Sequence, residues 1–199
     1  GGIGSCYTGS CEPGLAYGDL ADPKEPGAGG GAYNSSHPGG DGGGLIRLTV
    51  GGVLTNNGVI SVNGASAASG KLAGGGAGGS ISLNVGTMAG VGLVSANGGD
   101  GGTYASGYQE GGGGGGRIAI YYNTKSFSGI VNAYGGSGKN GGGHGGAGTI
   151  FWKQVSQEYG DLVVDNNHLT PAEASTPLPS TSVIFDNVTT SNGGRVRSN

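Results

Sequence analysis

The chain has 199 residues, a formal net charge of −3 and only 11 % charged residues, with Lys and Arg scattered singly. No basic stripe exists to neutralise a row of phosphates, and no apolar run approaches the length of a membrane span, so the expectation is no nucleic-acid partner and no membrane crossing. Gly supplies 52 residues and Pro 7, a share at which an unpatterned chain is disordered, but the low charge and short alternating apolar runs argue for a packed structure.

In chain order, residues 1–41 read as a loop-rich N-terminal segment. It holds both cysteines, in Cys6-Tyr7-Thr8-Gly9-Ser10-Cys11, and a turn cluster, Asp22-Pro23-Lys24-Glu25-Pro26-Gly27. No further Cys or His lies nearby to complete a metal site, so a small local disulfide between Cys6 and Cys11 is expected, which implies a compartment outside the cytosol.

Residues 42–153 carry an internal repeat. Four runs enter from glycines: Leu45-Ile46-Arg47-Leu48-Thr49-Val50, Ser80-Ile81-Ser82-Leu83-Asn84-Val85, Arg117-Ile118-Ala119-Ile120-Tyr121-Tyr122 and Thr149-Ile150-Phe151-Trp152-Lys153. The anchors Ile46, Ile81, Ile118 and Ile150 are 35, 37 and 32 residues apart. A second run follows each of the first three, with Ile60, Val94 and Val131 at offsets of 14, 13 and 13. Each run is β-branched and alternating, which predicts short strands. Stacked as coils, the columns Ile46/Ile81/Ile118 and Ile60/Val94/Val131 make an apolar core that no single repeat could bury alone. Arg47 and Arg117 fall on the opposite parity and are expected to face outward.

The glycine stretches Gly74–Gly76, Gly111–Gly116 and Gly141–Gly143 oppose helix formation. They suit either extended polyproline-like segments packed backbone to backbone, or flexible surface loops.

Residues 154–199 change character. Two strands are expected, at Asp161–Asp165 and Ser182–Asp186, joined by a Ser/Thr/Pro segment from His168 to Thr181. That segment is read as extended and exposed. It is of the kind that carries O-glycans, with Thr170, Ser175 and Thr176 as candidates, or is an ordinary stiff linker. Gly193-Gly194-Arg195-Val196-Arg197 resembles the start of another unit, so the chain is expected to be a segment of a longer one or a processed product.

Tyr17-Gly18-Asp19-Leu20, Pro26-Gly27-Ala28-Gly29-Gly30-Gly31, the glycine run into Ile46, and the stretches Gly111–Tyr122 and Gly145–Trp152 together resemble a glycine-rich repeat of very large secreted and cell-surface microbial proteins. The resemblance covers roughly residues 1–165. It implies a β-helical fold and an adhesive or structural role.

Candidate chemistry is sparse. Asn34-Ser35-Ser36 and Asn187-Val188-Thr189 are N-glycosylation sequons, which makes Asn34 and Asn187 expected glycan sites on a secretory route. Asp41 and Asp100 sit in Gly-Gly-Asp-Gly-Gly turns, but each is one carboxylate where calcium needs six or more oxygens. His37, His144 and His168 lie in unrelated loops, and Asp161 and Asp165 share a strand face without an evident partner. No catalytic, cofactor or metal residues are assigned. The aromatics Tyr121, Tyr122, Tyr134, Phe151 and Trp152 serve either as core or as a surface for sugars or a neighbouring subunit.

The fold expected is all-β: a right-handed, glycine-rich parallel β-helix, or solenoid, of about three to four coils with a small C-terminal β segment. The function expected is structural and not enzymatic. The chain would be a repeat subunit or segment of an extracellular or cell-surface filament, appendage or matrix, associating head-to-tail and carrying covalent glycans. The alternatives are a glycan- or ice-binding adhesive protein and, third, a polysaccharide-cleaving enzyme of β-helix type.

Overall fold

The structure, a computed structural model, describes residues 14, 18–104, 108–170, 174–178 and 183–198. The expected disulfide between Cys6 and Cys11 lies outside the described residues. The strands are β1 (Leu45–Thr55), β2 (Val59–Ser61), β3 (Ser80–Gly90), β4 (Leu93–Ser95), β5 (Arg117–Phe127), β6 (Ile130–Asn132), β7 (Thr149–Gln154), β8 (Asp161–Asp165), β9 (Thr176–Leu178), β10 (Asn187–Ser191) and β11 (Val196–Ser198). They form a six-stranded sheet ordered β1-β3-β5-β7-β8-β10, a three-stranded sheet β2-β4-β6 and a two-stranded pair β11-β9. The fold is an all-β solenoid.

The repeat sets the register. β1, β3, β5 and β7 run parallel, with Ile46 beside Ile81, Ile81 beside Ile118 and Ile118 beside Ile150. In the short sheet Ile60 pairs with Val94 and Val94 with Val131. The two sheets face each other across one apolar core of Ile81, Leu83, Val85, Met88, Val94, Ile118, Ile120 and their neighbours. Each fully buried Leu or Ile contributes about 1.5–3 kcal/mol through removal from water.

The first strand of each coil is longer than the sequence runs suggest. β1 continues through Gly51 and Gly52, with a register shift between Val50 and Val53 that absorbs one extra residue against β3. Such a bulge lets the strand bend toward the short sheet.

The stretches Gly74–Gly79 and Gly111–Gly116 form the third wall, while Gly141–Gly143 begins in a turn, with Gly141 at φ +85°. Six consecutive amides show how. Gly74 and Ala77 donate to the carbonyls of Gly31 and Ala28, Gly75 and Gly78 to those of Gly111 and Gly114, and Gly76 and Gly79 to those of Ala65 and Val62, all at 2.8–3.0 Å. Donors therefore rotate among three neighbouring segments with a period of three residues, the period of a polyproline-type helix. The same pattern recurs one coil on, where Gly112 and Gly115 donate to Gly143 and Gly146, and Gly113 and Gly116 to Gly99 and Ala96. Residues 27–31 join this wall as an extra layer, bonded to Gly40 and Gly43 as well as to the 74–77 segment.

Close approach requires glycine here. A methyl group on Gly79 would overlap the Gly44 carbonyl oxygen, one on Gly116 that of Gly79, and one on Gly148 that of Gly116. Each α-hydrogen in this column rests on the coil before it, a contact of the Cα–H to carbonyl kind.

Two expectations for the C-terminal part are corrected. The strand placed at Ser182–Asp186 begins instead at Asn187. Residues 183–186 lie outside the sheet ladder; the Phe185 ring docks against Phe151, with centroids 6.4 Å apart, and the Asp186 amide donates to the Gly160 carbonyl at 2.7 Å. The Ser/Thr/Pro segment is not wholly exposed either: it contains β9, paired in parallel with β11. The chain also reverses. β8 pairs antiparallel with β7, Ile150 opposite Val163 and Trp152 opposite Asp161, after a turn at Gly160 with φ +105°. β10 then stacks parallel on β8, and β11 on β9, so these four strands form two layers of a second, oppositely directed stack.

Asp165 ties these two coils together. Its carboxylate accepts from the Asn167 N–H at 2.7 Å and from Ser191 Oγ and Asn192 Nδ2 at 2.8 Å each. Partial burial works against its ionised form, but these three donors outweigh burial and hold the carboxyl below its ordinary value of 3.8. A folded pKa below the unfolded one gives stability that is present above about pH 4 and lost as pH falls through the folded pKa. Protection of the β10 amides, measured against the intrinsic exchange rate at each pH, should therefore be lost at acid pH before that of β3. Asp165→Asn should remove the difference, leaving β10 equally loose at both pH values.

Candidate functional site

Two surfaces are built by the topology: the open first coil and the outer face of the long sheet. On that outer face a strap, residues 19–25, crosses several rungs. Tyr121 donates its hydroxyl to the Ala21 carbonyl at 2.7 Å, and Ser80 Oγ donates to the Glu25 carbonyl at 2.6 Å. Arg47 binds Asp22 at 2.8 Å, as the outward parity of Arg47 predicts. Lys24 and Arg47 hold the exposed Asp22 carboxyl below the usual range. Leu20 packs on Ala119 and Phe151. What remains open beside the strap is a shallow cleft of about 360 Å³ lined by Arg47, Thr49, Ser82, Asn84 and Tyr121.

The aromatics of the third and fourth coils split by parity. Tyr122 and Trp152 pack edge-to-face at 6.0 Å toward the core, with Lys125 Nζ 4.3 Å from the Trp152 ring centre. Tyr121 and Phe151 lie outward but are roofed by the strap, Leu178 and Phe185. A second aromatic row, not singled out from the sequence, runs Tyr33, His37, Tyr104, Tyr108, with centroids 6.0, 5.0 and 5.3 Å apart. It joins two local pairs, Tyr33 with His37 and Tyr104 with Tyr108, which meet through His37 and Tyr104 because the loops at the coil corners stack.

The polar candidates serve the stack. Asp100 accepts from the Ser137 N–H at 2.8 Å and pairs with Lys139 at 3.0 Å. His37 and His144 use Nδ1 to accept the loop amides of Leu72 and Gly138, at 3.0 and 3.1 Å. Asp41 gives its backbone carbonyl to the Ala65 amide. Asp161 accepts from Asn187 Nδ2 at 2.7 Å and from Gln157 at 3.0 Å. Among the described residues no three Cys, His, Asp or Glu side chains come together as a metal site would need. No helix among them is long and apolar enough to cross a membrane. One buried carboxylate escapes sequence reasoning: Glu110 is fully enclosed and accepts from the Tyr104 amide at 3.2 Å and Asn140 Nδ2 at 3.0 Å. It closes the corner loop before the six-glycine run.

The modification candidates differ in access. Asn34 is exposed in a turn where its Oδ1 accepts from the Ser36 amide at 2.9 Å, leaving the attachment nitrogen out of that bond. Asn187 is exposed, but its attachment nitrogen is the one donated to Asp161. Thr170 is exposed and Ser175 half-buried. Thr176 is buried, with its hydroxyl donated to the Ala147 carbonyl at 2.6 Å, so a glycan there would require the β9 segment to open.

The first coil leaves part of the core uncovered among the described residues. Leu48 is 37 % exposed where its column partners Leu83 and Ile120 are 0 %. Leu45, Val53 and Val59 are exposed as well, and the outer edge of β1 has no partner strand among the described residues. At the other end β10 is likewise an edge, and Val188 is 51 % exposed. No protein-family model, curated protein or solved structure matches this chain.

Proposed function

We propose that the chain is a structural protein of an extracellular or cell-surface assembly, a filament, appendage or matrix, in which solenoid stacks join end to end. The observation that carries this reading is the uncovered first coil. Its apolar columns continue those of the coils beneath, and its strand edge carries neither a proline nor a capping element among the described residues. Native proteins normally blunt such edges, and an open one is a template for pairing with another chain. The polar side chains support the same reading, since most of the candidate carboxylates and imidazoles are spent on holding coil to coil. The low charge lets copies approach without strong repulsion, and the resemblance to adhesin-like repeats points the same way. The row Tyr33, His37, Tyr104 and Tyr108, in which Tyr33 and Tyr104 are exposed and the other two half-buried, favours a second reading, a glycan-binding adhesive surface, since sugars stack on such rings.

Light scattering and negative-stain microscopy of the purified chain test the first reading. Concentration-dependent growth into fibres is expected. A clean monomer at high concentration would contradict it.

A further inference from the structure

We infer that the open edge of β1 is the docking site for the β10 edge of a second copy, in antiparallel pairing with Thr189 opposite Ile46. This rests on the end-to-end reading above and specifies its joint. Three observations carry it.

The first is that the first coil, although residues 27–30 already press on its wall glycines Gly39 and Gly42, has glycine at Gly44 and Gly58, where nothing among the described residues touches it. Gly79, Gly116 and Gly148 are each required because a carbonyl of the preceding coil lies against them, and Gly92 and Gly129 are pressed the same way by Gly58 and Gly92. Their counterparts in the first coil, Gly44 and Gly58, have no atom of the described residues within 4 Å of an added methyl group. The first coil is thus shaped for a neighbour above it.

The second is a template within the molecule. At β7 and β8 a rung of the first stack already accepts an antiparallel rung of the second, with Ile150 opposite Val163 and Phe151 opposite Leu162. β10 runs in the direction of β8, and β1 in that of β7. Translating a copy along the stack therefore brings β10 onto β1 in the same antiparallel sense.

The third is register. The column Ile46, Ile81, Ile118, Ile150 continues into Val163 and Thr189. Carried along the stack, it sets Thr189 over Ile46, Val188 over Arg47 and Asn187 over Leu48. The Thr149 amide donates back to Gly116. By strand alternation, Leu45, Arg47 and Thr49 then present their amides and carbonyls to the outer edge of β1, and Val188 and Thr190 present theirs to that of β10. The two edges face each other as hydrogen-bonded pairs with no one-residue slip. β10 carries no charged residue to oppose the contact.

A photo-crosslinking amino acid at position 188, in a mixture of isotopically light and heavy chains, tests this. Adducts to residues 45–49 that join light to heavy chains are expected, and Thr190→Pro, which deletes an outward amide, should raise the concentration needed for assembly at least tenfold. An unchanged circular-dichroism spectrum would show that this variant still folds. Fibres whose adducts map elsewhere would overturn the joint and leave the structural reading standing. Adducts confined to one chain would mean that the β10 edge is covered by its own chain, and the proposal would fall. Monomers without adducts at high concentration would overturn both.

Discussion

Gly79→Ala is expected to destabilise the fold by about 3 kcal/mol or more, while Gly44→Ala in the same column changes stability by less than about 0.5 kcal/mol. At position 79 the added methyl meets the Gly44 oxygen and, at 2.7 Å, the carbon and oxygen of the Gly43 carbonyl. All of these are backbone, held by hydrogen bonds on both sides, so no rotamer change can relieve the overlap. At position 44 the methyl meets no atom of the described residues within 4 Å. For a chain of this size the difference is a fall in Tm on the order of 10 °C for one variant and almost none for the other, read by thermal unfolding in dilute solution. Equal, small effects at both positions would mean that the glycine segments do not touch.

Ile81→Asp is expected to abolish folding, at a cost above about 4 kcal/mol, because a carboxylate would be enclosed without a partner. Ile81 is 0 % exposed and lies between Ile46 and Ile118 in the middle of the stack. The comparison variant Val59→Asp places the same charge on a residue that is 68 % exposed, and it should leave the monomer folded. Far-ultraviolet circular dichroism and proteolysis separate the two outcomes. A folded Ile81→Asp protein would show that the columns do not form one core.

The part of the architecture readable in the sequence is the part encoded by periodic side chains. The Ile46, Ile81, Ile118, Ile150 column and the Ile60, Val94, Val131 column are β-branched at nearly fixed spacing, and both lie in register. Where side chains are absent the signal fades. The alternating run ends at Val50 although β1 passes on through Gly51 and Gly52, because glycine carries no alternation to follow. Residues 27–31 read as a loop and belong to the glycine wall, since hydrogen bonding between backbones leaves no mark on composition beyond glycine itself.

The reversal after β7 is written in one residue, Gly160, and a single positive φ cannot be told from an ordinary turn. The second stack has an offset of 26 residues between Asp161–Asp165 and Asn187–Ser191. It was hidden because Leu162-Val163-Val164 is apolar while its partner Val188-Thr189-Thr190 is mostly polar. Of the candidate site, the open first coil follows from the repeat itself. The aromatic row of Tyr33, His37, Tyr104 and Tyr108 and the enclosed Glu110 depend on how corner loops stack, which no local pattern specifies.

The central claim is that the glycine stretches are an ordered wall of the solenoid and not loops hung on it. Hydrogen exchange of the backbone amides tests this most directly, because each amide from Gly74 to Gly79 has an assigned acceptor in one of three neighbouring segments. The account predicts that these amides, with Gly112, Gly113, Gly115 and Gly116, exchange as slowly as those in the middle of β3 and β5. Exchange at the rate of an unstructured chain, while β3 and β5 stay protected, would contradict it.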